Sequence, residues 1–154
     1  MPPRSVSNAR KGEIAVIGSI LTGKKPLVSI TSDTRVSAIA ELLYTNRIGA
    51  VLVIEAGEIV GLVSERDICA GLHTHGVAIL AARAVDIMTA AVVTAPPDLG
   101  VPAAMAIMTE RRFRHLPVVE SGHVLGVVSI GDLVKVRLDE AEAEAEAMKA
   151  YISS

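Results

Sequence analysis

The sequence predicts an α+β fold made of two β-α-β-β-α units, and three observations carry that prediction. The octapeptide Gly61-Leu62-Val63-Ser64-Glu65-Arg66-Asp67-Ile68 reappears 65 positions later as Gly126-Val127-Val128-Ser129-Ile130-Gly131-Asp132-Leu133. Each copy is preceded by one apolar stripe at helical spacing. Each also contains two β-prone runs around a short turn with glycine. The offset then holds without a gap from about Val28/Val93 to Ile68/Leu133, with Val53, Glu55 and Gly57 falling on Val118, Glu120 and Gly122. A unit that occurs only twice is no solenoid, which needs three or more copies to bury a continuous core. The two units are therefore expected to pack sheet to sheet, because a lone small sheet cannot cover both its faces.

The elements follow in the same order in both copies. Leu27-Val28-Ser29-Ile30 and Ala91-Val92-Val93-Thr94 read as first strands. Val36, Ile39, Ala40 and Leu43, matched by Val101, Ala104, Met105 and Met108, form the helix stripes, with Ser32 or Asp33 and Asp98 as expected caps. Strand, turn and strand come next as Gly49 to Ile54, Glu55 to Glu58 and Ile59 to Val63. The second copy runs Leu116 to Val119, Glu120 to His123 and Val124 to Val128. A closing helix starts at Ser64 and at Ser129. The resulting organisation is an N-terminal extension over 1–16, repeats over 17–84 and 85–138, and a C-terminal helix extension over 139–154. Residues 1 to about 12 lack periodicity and are expected to fray or to reach across to a neighbour. The Ala/Glu run from Asp139 to Ala147 favours a solvated helix, with an acidic partner-binding tail as the alternative.

Composition narrows the function. Apolar residues make up 51% of the 154, yet no uninterrupted apolar run approaches the roughly 18 residues of a membrane span, and nothing at the start reads as a secretory signal. A cytoplasmic protein without a membrane partner is expected. A net charge of −2 gives no attraction to a polyanion, and 2% aromatic residues offer no stacking platform, so nucleic acid is not expected as a partner. The single Cys69 excludes an internal disulfide framework and reads as a small buried hydrophobe.

The duplicated Ser-x-x-Asp carries the chemistry. At a helix N-terminus, unpaired backbone N–H groups and the positive dipole end welcome an anion or a hydroxyl. A carboxylate one turn in, Asp67 or Asp132, can accept hydrogen bonds from two vicinal sugar hydroxyls, and Ser64 or Ser129 can meet the sugar or a phosphate. The same pattern is also a capping box, in which each side chain satisfies the other's backbone N–H, and the sequence leaves both readings open. Arg66, Arg111, Arg112, Arg114 and His115 are the cations available for a phosphate. Arg114-His115 stands where the first copy has Gly49-Ala50, and Gly131 replaces Arg66, so the two sites are expected to be unequal.

A tandem β-α-β-β-α unit whose hairpin ends in Gly-h-h-Ser-x-x-Asp resembles the CBS domain, named after cystathionine β-synthase. The resemblance spans about residues 17 to 137. Val63-Ser64-Glu65-Arg66-Asp67 and Arg114-His115-Leu116-Pro117-Val118-Val119 look especially like the small stand-alone bacterial CBS-pair proteins. The resemblance implies two repeats about a pseudo-twofold axis with clefts between them, and modules that pair into homodimers. It further implies ligands such as AMP, ADP, ATP, S-adenosylmethionine or NAD(H), AMP first among them. By position it also implies an adenine slot at Val28 and Ile30 in one copy and Val93, Thr94 and Ala95 in the other. Ser64, Arg66, Asp67, Arg114, His115, Pro117, Ser129 and Asp132 complete the expected binding set.

Other chemistries find little material. His73 and His75 are expected in a Gly-rich connection without Cys or carboxylate placed to complete a shell, so no metal site is expected. Neither a Walker phosphate loop nor a dinucleotide glycine fingerprint is present, and no catalytic residue is assigned. The expected function is a non-enzymatic sensor of energy or redox state acting on a partner protein. The alternative is a structural dimerisation module without ligand.

Overall fold

A computed structural model describes residues 14–154; the stretch of residues 1 to about 12 expected to fray or to reach across to a neighbour lies outside the described residues. The elements are α1 (Ile17–Leu21), β1 (Ser29–Ile30), α2 (Val36–Asn46), β2 (Ala50–Glu55), β3 (Glu58–Ser64) and α3 (Glu65–His75). A 3-10 helix (Gly76–Ala81) follows, then α4 (Ala84–Ile87), α5 (Val101–Arg111), β4 (His115–Glu120), β5 (His123–Ser129) and α6 (Ile130–Ser153). The content is α+β, as the sequence predicts.

Two compact units emerge, and neither is one repeat in chain order. The first unit holds Pro26–Val93 with Ser121–Val124; the second holds residues 14–25, Thr94–Glu120 and Leu125–Ser154. The short helix that opens each repeat is thus delivered to the unit of the other repeat. In the first unit, Val36 donates its N–H to the Ala82 carbonyl at 2.9 Å and Ala84 donates to Thr34 at 2.8 Å. In the second unit, Val101 donates to Ala15 at 2.8 Å and Ile17 donates to Leu99 at 2.9 Å. These are the same bonds, exchanged between copies.

The core repeats position by position. In the first unit Ile30, Val36, Ile39, Leu43, Val51, Val53, Val63, Ile68 and Ala84 form one buried cluster. Shifting the first eight by 65 gives Ala95, Val101, Ala104, Met108, Leu116, Val118, Val128 and Leu133, all buried, and Ile17 takes the place of Ala84. The predicted helix stripes therefore point inward. Truncating a fully buried member such as Leu116 to Ala removes about 2–5 kcal/mol in cores of this kind.

In the first unit β1 pairs parallel with β2 and β2 pairs antiparallel with β3. The turn residues Ala56 (φ 50°) and Gly57 (φ 82°) sit in the left-handed region, as do Ser121 (φ 50°) and Gly122 (φ 76°). Two consecutive positive φ values make the two-residue turn whose twist matches a hairpin, which is why glycine stands second in both.

Four expectations need correction. The run Ala91-Val92-Val93-Thr94 forms no strand; a single parallel bridge joins Ala95 to Val118 instead. Pro96 and Pro97 follow immediately and bring no N–H for a ladder. Ser32, Asp33 and Asp98 do not cap the helices: the N-caps are Arg35 and Gly100, with no side-chain cap bond. Arg35 and Gly100 are each held extended by an antiparallel bridge, to Arg83 and Val16, which delays the helix and supplies its first amide with a main-chain partner. Cys69 is exposed on α3 rather than buried. His73 and His75 lie in the last turn of α3, not in a connection. The Ala/Glu segment is helical, and it continues α6 without a break at 139.

The exchanged helix makes a close approach that can be tested. A Cβ on Gly18 would come within 2.7 Å of Pro97 Cβ and 2.8 Å of its carbonyl oxygen. Ala for Gly inside a helix normally gains about 1 kcal/mol. Here the clash is with backbone and wins, so Gly18→Ala is expected to lower stability by about 1–3 kcal/mol in urea titration. Gly126→Ala, which meets only the flexible Leu21 side chain, is expected to cost less.

Candidate functional site

Each hairpin ends where a helix begins, and the junction is tied twice. In the first unit Ala50 pairs with Ser64, and the Glu65 N–H donates to the Gly49 carbonyl at 3.0 Å. In the second the Ile130 N–H donates to the Arg114 carbonyl at 2.9 Å. The strand start thus satisfies the first amide of α3 and of α6, one of the four that every helix leaves open.

Ser-x-x-Asp then closes the third amide. Asp67 N–H donates to Ser64 Oγ at 3.3 Å, while Asp67 Oδ2 accepts from Ser64 N–H at 2.8 Å and from Ser64 Oγ at 3.0 Å. Asp132 N–H donates to Ser129 Oγ at 3.2 Å and Asp132 Oδ2 accepts from Ser129 N–H at 2.8 Å. The capping-box reading is therefore realised in both copies. It does not use the whole group. Among the described residues the bonds that each carboxylate accepts all fall on Oδ2, leaving Oδ1 of each aspartate, and neither the strand nor the box takes the second amide of the helix, that of Arg66 or Gly131. Gly131 keeps its surroundings open, since an added Cβ would meet only Ser129 Oγ at 3.7 Å.

The two copies differ in charge. Lys24, which the sequence reading did not single out, donates from Nζ to Asp132 Oδ2 at 2.5 Å and to the Val127 carbonyl at 2.9 Å. Burial pushes the Asp132 carboxyl up, but the hydrogen bonds from Lys24 and the Ser129 amide, with the lysine charge, outweigh it and hold the carboxyl below its ordinary value. Among the described residues Asp67 makes no ion pair. Lys24 reaches Asp132 because residues 14–25 belong to the second unit, a placement that local pattern does not reveal.

The remaining expected residues are distributed as follows. Val28, Ile30, Ser64, Arg66, Asp67 and Val93 belong to the first unit; Thr94, Ala95, Arg114, His115, Pro117, Ser129 and Asp132 belong to the second. Ile30, Ala95 and Pro117 are buried, Ile30 within the core cluster, whereas Val28 and Val93 are half-buried and Thr94 is exposed. Ala95 is held by β4: its N–H donates to the Pro117 carbonyl at 3.0 Å and its carbonyl accepts from Val119 at 2.9 Å. β4 therefore links the strand end at Ala95 to the helix end at Ile130, through positions 117 and 114, about 10 Å apart along the strand. Arg66, Arg111, Arg112 and Arg114 are exposed and His115 is half-buried. An apolar groove lined by Val16, Ser19, Leu21, Pro97 and Leu125 holds none of the expected residues. No helix among the described residues is long and apolar enough to cross a membrane.

Comparison with known proteins agrees with this geometry. A mitochondrial CBS domain-containing protein of Arabidopsis thaliana is 34% identical over 127 residues, covering 79% of this chain; the chain spans only 61% of that relative's length. The crystal structure of a CBS-domain-containing protein from Agrobacterium tumefaciens superimposes with a TM-score of 0.78 at 34% identity, covering 83% of this chain and 97% of that one. The CBS domain pair of protein MJ0100, solved in complex with 5′-methylthioadenosine and S-adenosyl-L-methionine, shares the fold at a TM-score of 0.75 and 24% identity, over 83% of this chain and 99% of its own. The CBS domain profile itself matches residues 17–74 and 84–139, the two halves of the duplication. With both repeats matched and the hairpin-to-helix junction present in each, the chain belongs to the CBS domain family.

Proposed function

We propose that this CBS pair is a regulatory module that binds an adenosine-containing ligand at its Ser-x-x-Asp helix starts and reports occupancy to a partner protein. AMP is the first candidate, with ADP, ATP, NAD(H) and S-adenosylmethionine as alternatives, so the module would sense energy or redox state. The observation that carries the reading is the incomplete use of the capping box. Each helix start offers one carboxylate oxygen as acceptor and one main-chain amide as donor, and the vicinal hydroxyls of a ribose are both donors and acceptors. The complex of the MJ0100 pair with two adenosine-containing ligands lends support, since that protein has the same fold.

In the second unit the base would lie toward Thr94 and Ala95, with Pro117 as an apolar floor, and the sugar toward Ser129 and Asp132. A phosphate would meet Lys24 and Arg114, with His115 beside them. An ammonium has three donors, and Lys24 uses two of them on Asp132 and Val127, which leaves one to turn to a phosphate oxygen. In the first unit Val28, Ile30, Ser64, Arg66 and Asp67 would serve, with Val93 at the strand end, and no lysine is paired to the aspartate. The second unit is accordingly the phosphate-preferring one.

Binding rather than catalysis suits these groups. An aspartate held ionised by a lysine and the Ser129 amide is poorly matched to proton transfer near neutral pH, where a working acid or base needs a pKa near the operating pH. The setting that fits is a cytoplasmic homodimer without nucleic acid or membrane. One observation favours a structural module instead: both capping boxes are complete without any ligand.

Calorimetry with AMP, ATP, S-adenosylmethionine and NADH separates the two readings. Heat is expected with at least one of them, and no heat and no thermal shift with any would leave the structural module. Asp132→Asn, which keeps an acceptor for the Ser129 amide, is expected to weaken nucleotide binding about tenfold, in line with a lost charge-assisted hydrogen bond. Lys24→Met should weaken AMP more than adenosine.

The Lys24–Asp132 pair also sets a pH dependence. The carboxyl is depressed in the folded state, so the pair contributes above the unfolded aspartate value of about 3.9, and the contribution is lost as pH falls through the lower folded value. Both side chains are about a third exposed, so the contribution stays under about 1 kcal/mol. Urea titrations of wild type and Lys24→Met are expected to differ at pH 7 and to converge toward pH 2.

A further inference from the structure

Beyond the core, α6 presents a face that no part of the described chain covers. Leu133 is buried and Val136 half-buried, but from Ala141 onward every residue is exposed. Val134, Leu138, Ala141, Ala145, Met148 and Ile152 recur at alternating steps of four and three. Leu138 is 58%, Met148 61% and Ile152 78% exposed. This is the seam of a left-handed coiled coil, and it lies one residue round from the positions that carry Leu133 and Val136. From Val134 to Ile152 it runs about 27 Å.

The flanking charges select the occupant. Arg137 and Glu144 lie along one flank of the seam, and Lys135, Glu142 and Lys149 along the other. In a parallel, in-register pair of this helix with itself, a residue on the first flank faces the residue five positions further on in the other copy. Arg137 then meets Glu142 of the partner subunit, and Glu144 meets Lys149 of the partner subunit; both pairs attract, and twofold symmetry doubles them. An antiparallel pair sets each flank against itself. Glu142 would face Glu142 of the partner subunit, Glu144 would face Glu144 of the partner subunit, and Lys135 would face Lys149 of the partner subunit, all repulsive.

We propose that residues 134–152 of α6 form a parallel, in-register two-stranded coiled coil with a second copy of this chain. The inference does not rest on the nucleotide reading, and most of the surface it concerns lies beyond the second CBS repeat. Ala141 and Ala145 bring the helices close but bury little, so this coil is a weak and adjustable link. Arg137 and Lys149 now bond Glu140 at 2.8 Å and Glu146 at 3.2 Å along their own helix; these exposed pairs are readily exchanged for pairs across the seam.

The test uses the full chain with Cys69→Ser as background. Ala145→Cys sits on the seam and meets itself only in a parallel pair, so mild oxidation is expected to give a disulfide-linked dimer, whereas Glu146→Cys, one residue outside the seam, is not. Sedimentation equilibrium is expected to show Lys149→Glu raising the dimer Kd about three- to tenfold, and Glu144→Lys added to it restoring the original value. A monomeric Ala145→Cys after oxidation overturns the proposal, as does equal cross-linking of both cysteine variants. A double charge variant weaker than the single one overturns it as well.

Discussion

The candidate site depends on one hydrogen bond made twice, from the first amide of a helix to the carbonyl at the start of a strand. Glu65 to Gly49 and Ile130 to Arg114 fix where the hairpin hands over to the helix. With that amide satisfied by the strand and the third satisfied by serine, the helix N-terminus has one donor left unfilled among the described residues, and the aspartate that closes the box keeps one oxygen to spare. Capping and recognition are thus compatible uses of four residues. The cap orders the aspartate, and ordering it beforehand lowers the cost of binding.

Duplication did not leave the copies alike. The core repeats position by position, buried and apolar in both copies, although Ile30 and Ile39 are matched by the smaller Ala95 and Ala104. The surface groups at the helix starts are under no such restraint. Arg66 stands opposite Gly131, Gly49 opposite Arg114, and among the described residues a lysine pairs with Asp132 but none with Asp67. One fold therefore presents two helix starts of different charge, and a module with two unequal sites can respond to two ligands or to two concentrations of one.

Much of the fold was legible because burial writes a period into the chain. The stripes Val36-Ile39-Leu43 and Val101-Ala104-Met108 and the hairpins around Gly57 and Gly122 stand where pattern places them. What pattern misses is set by long-range pairing. Arg35 and Gly100 became N-caps through bridges to distant segments, and Val92-Val93 forms no strand, as Leu27-Val28 in the first copy also lies outside β1. The capping boxes were legible at Ser64, Asp67, Ser129 and Asp132, where the motif is local. Lys24 was not, since it acts on a residue 108 positions away and reaches it only because the leading segment joins the second unit.

In the function proposed, the amide and carboxylate oxygen that each cap leaves over receive the sugar. Amide NMR of the full chain titrated with AMP reads this directly. The account predicts that the Gly131 N–H moves most, together with Ala95 and Asp132, while the amides of β5 stay in place. Saturation at high AMP with Gly131 and Arg66 both unmoved contradicts it.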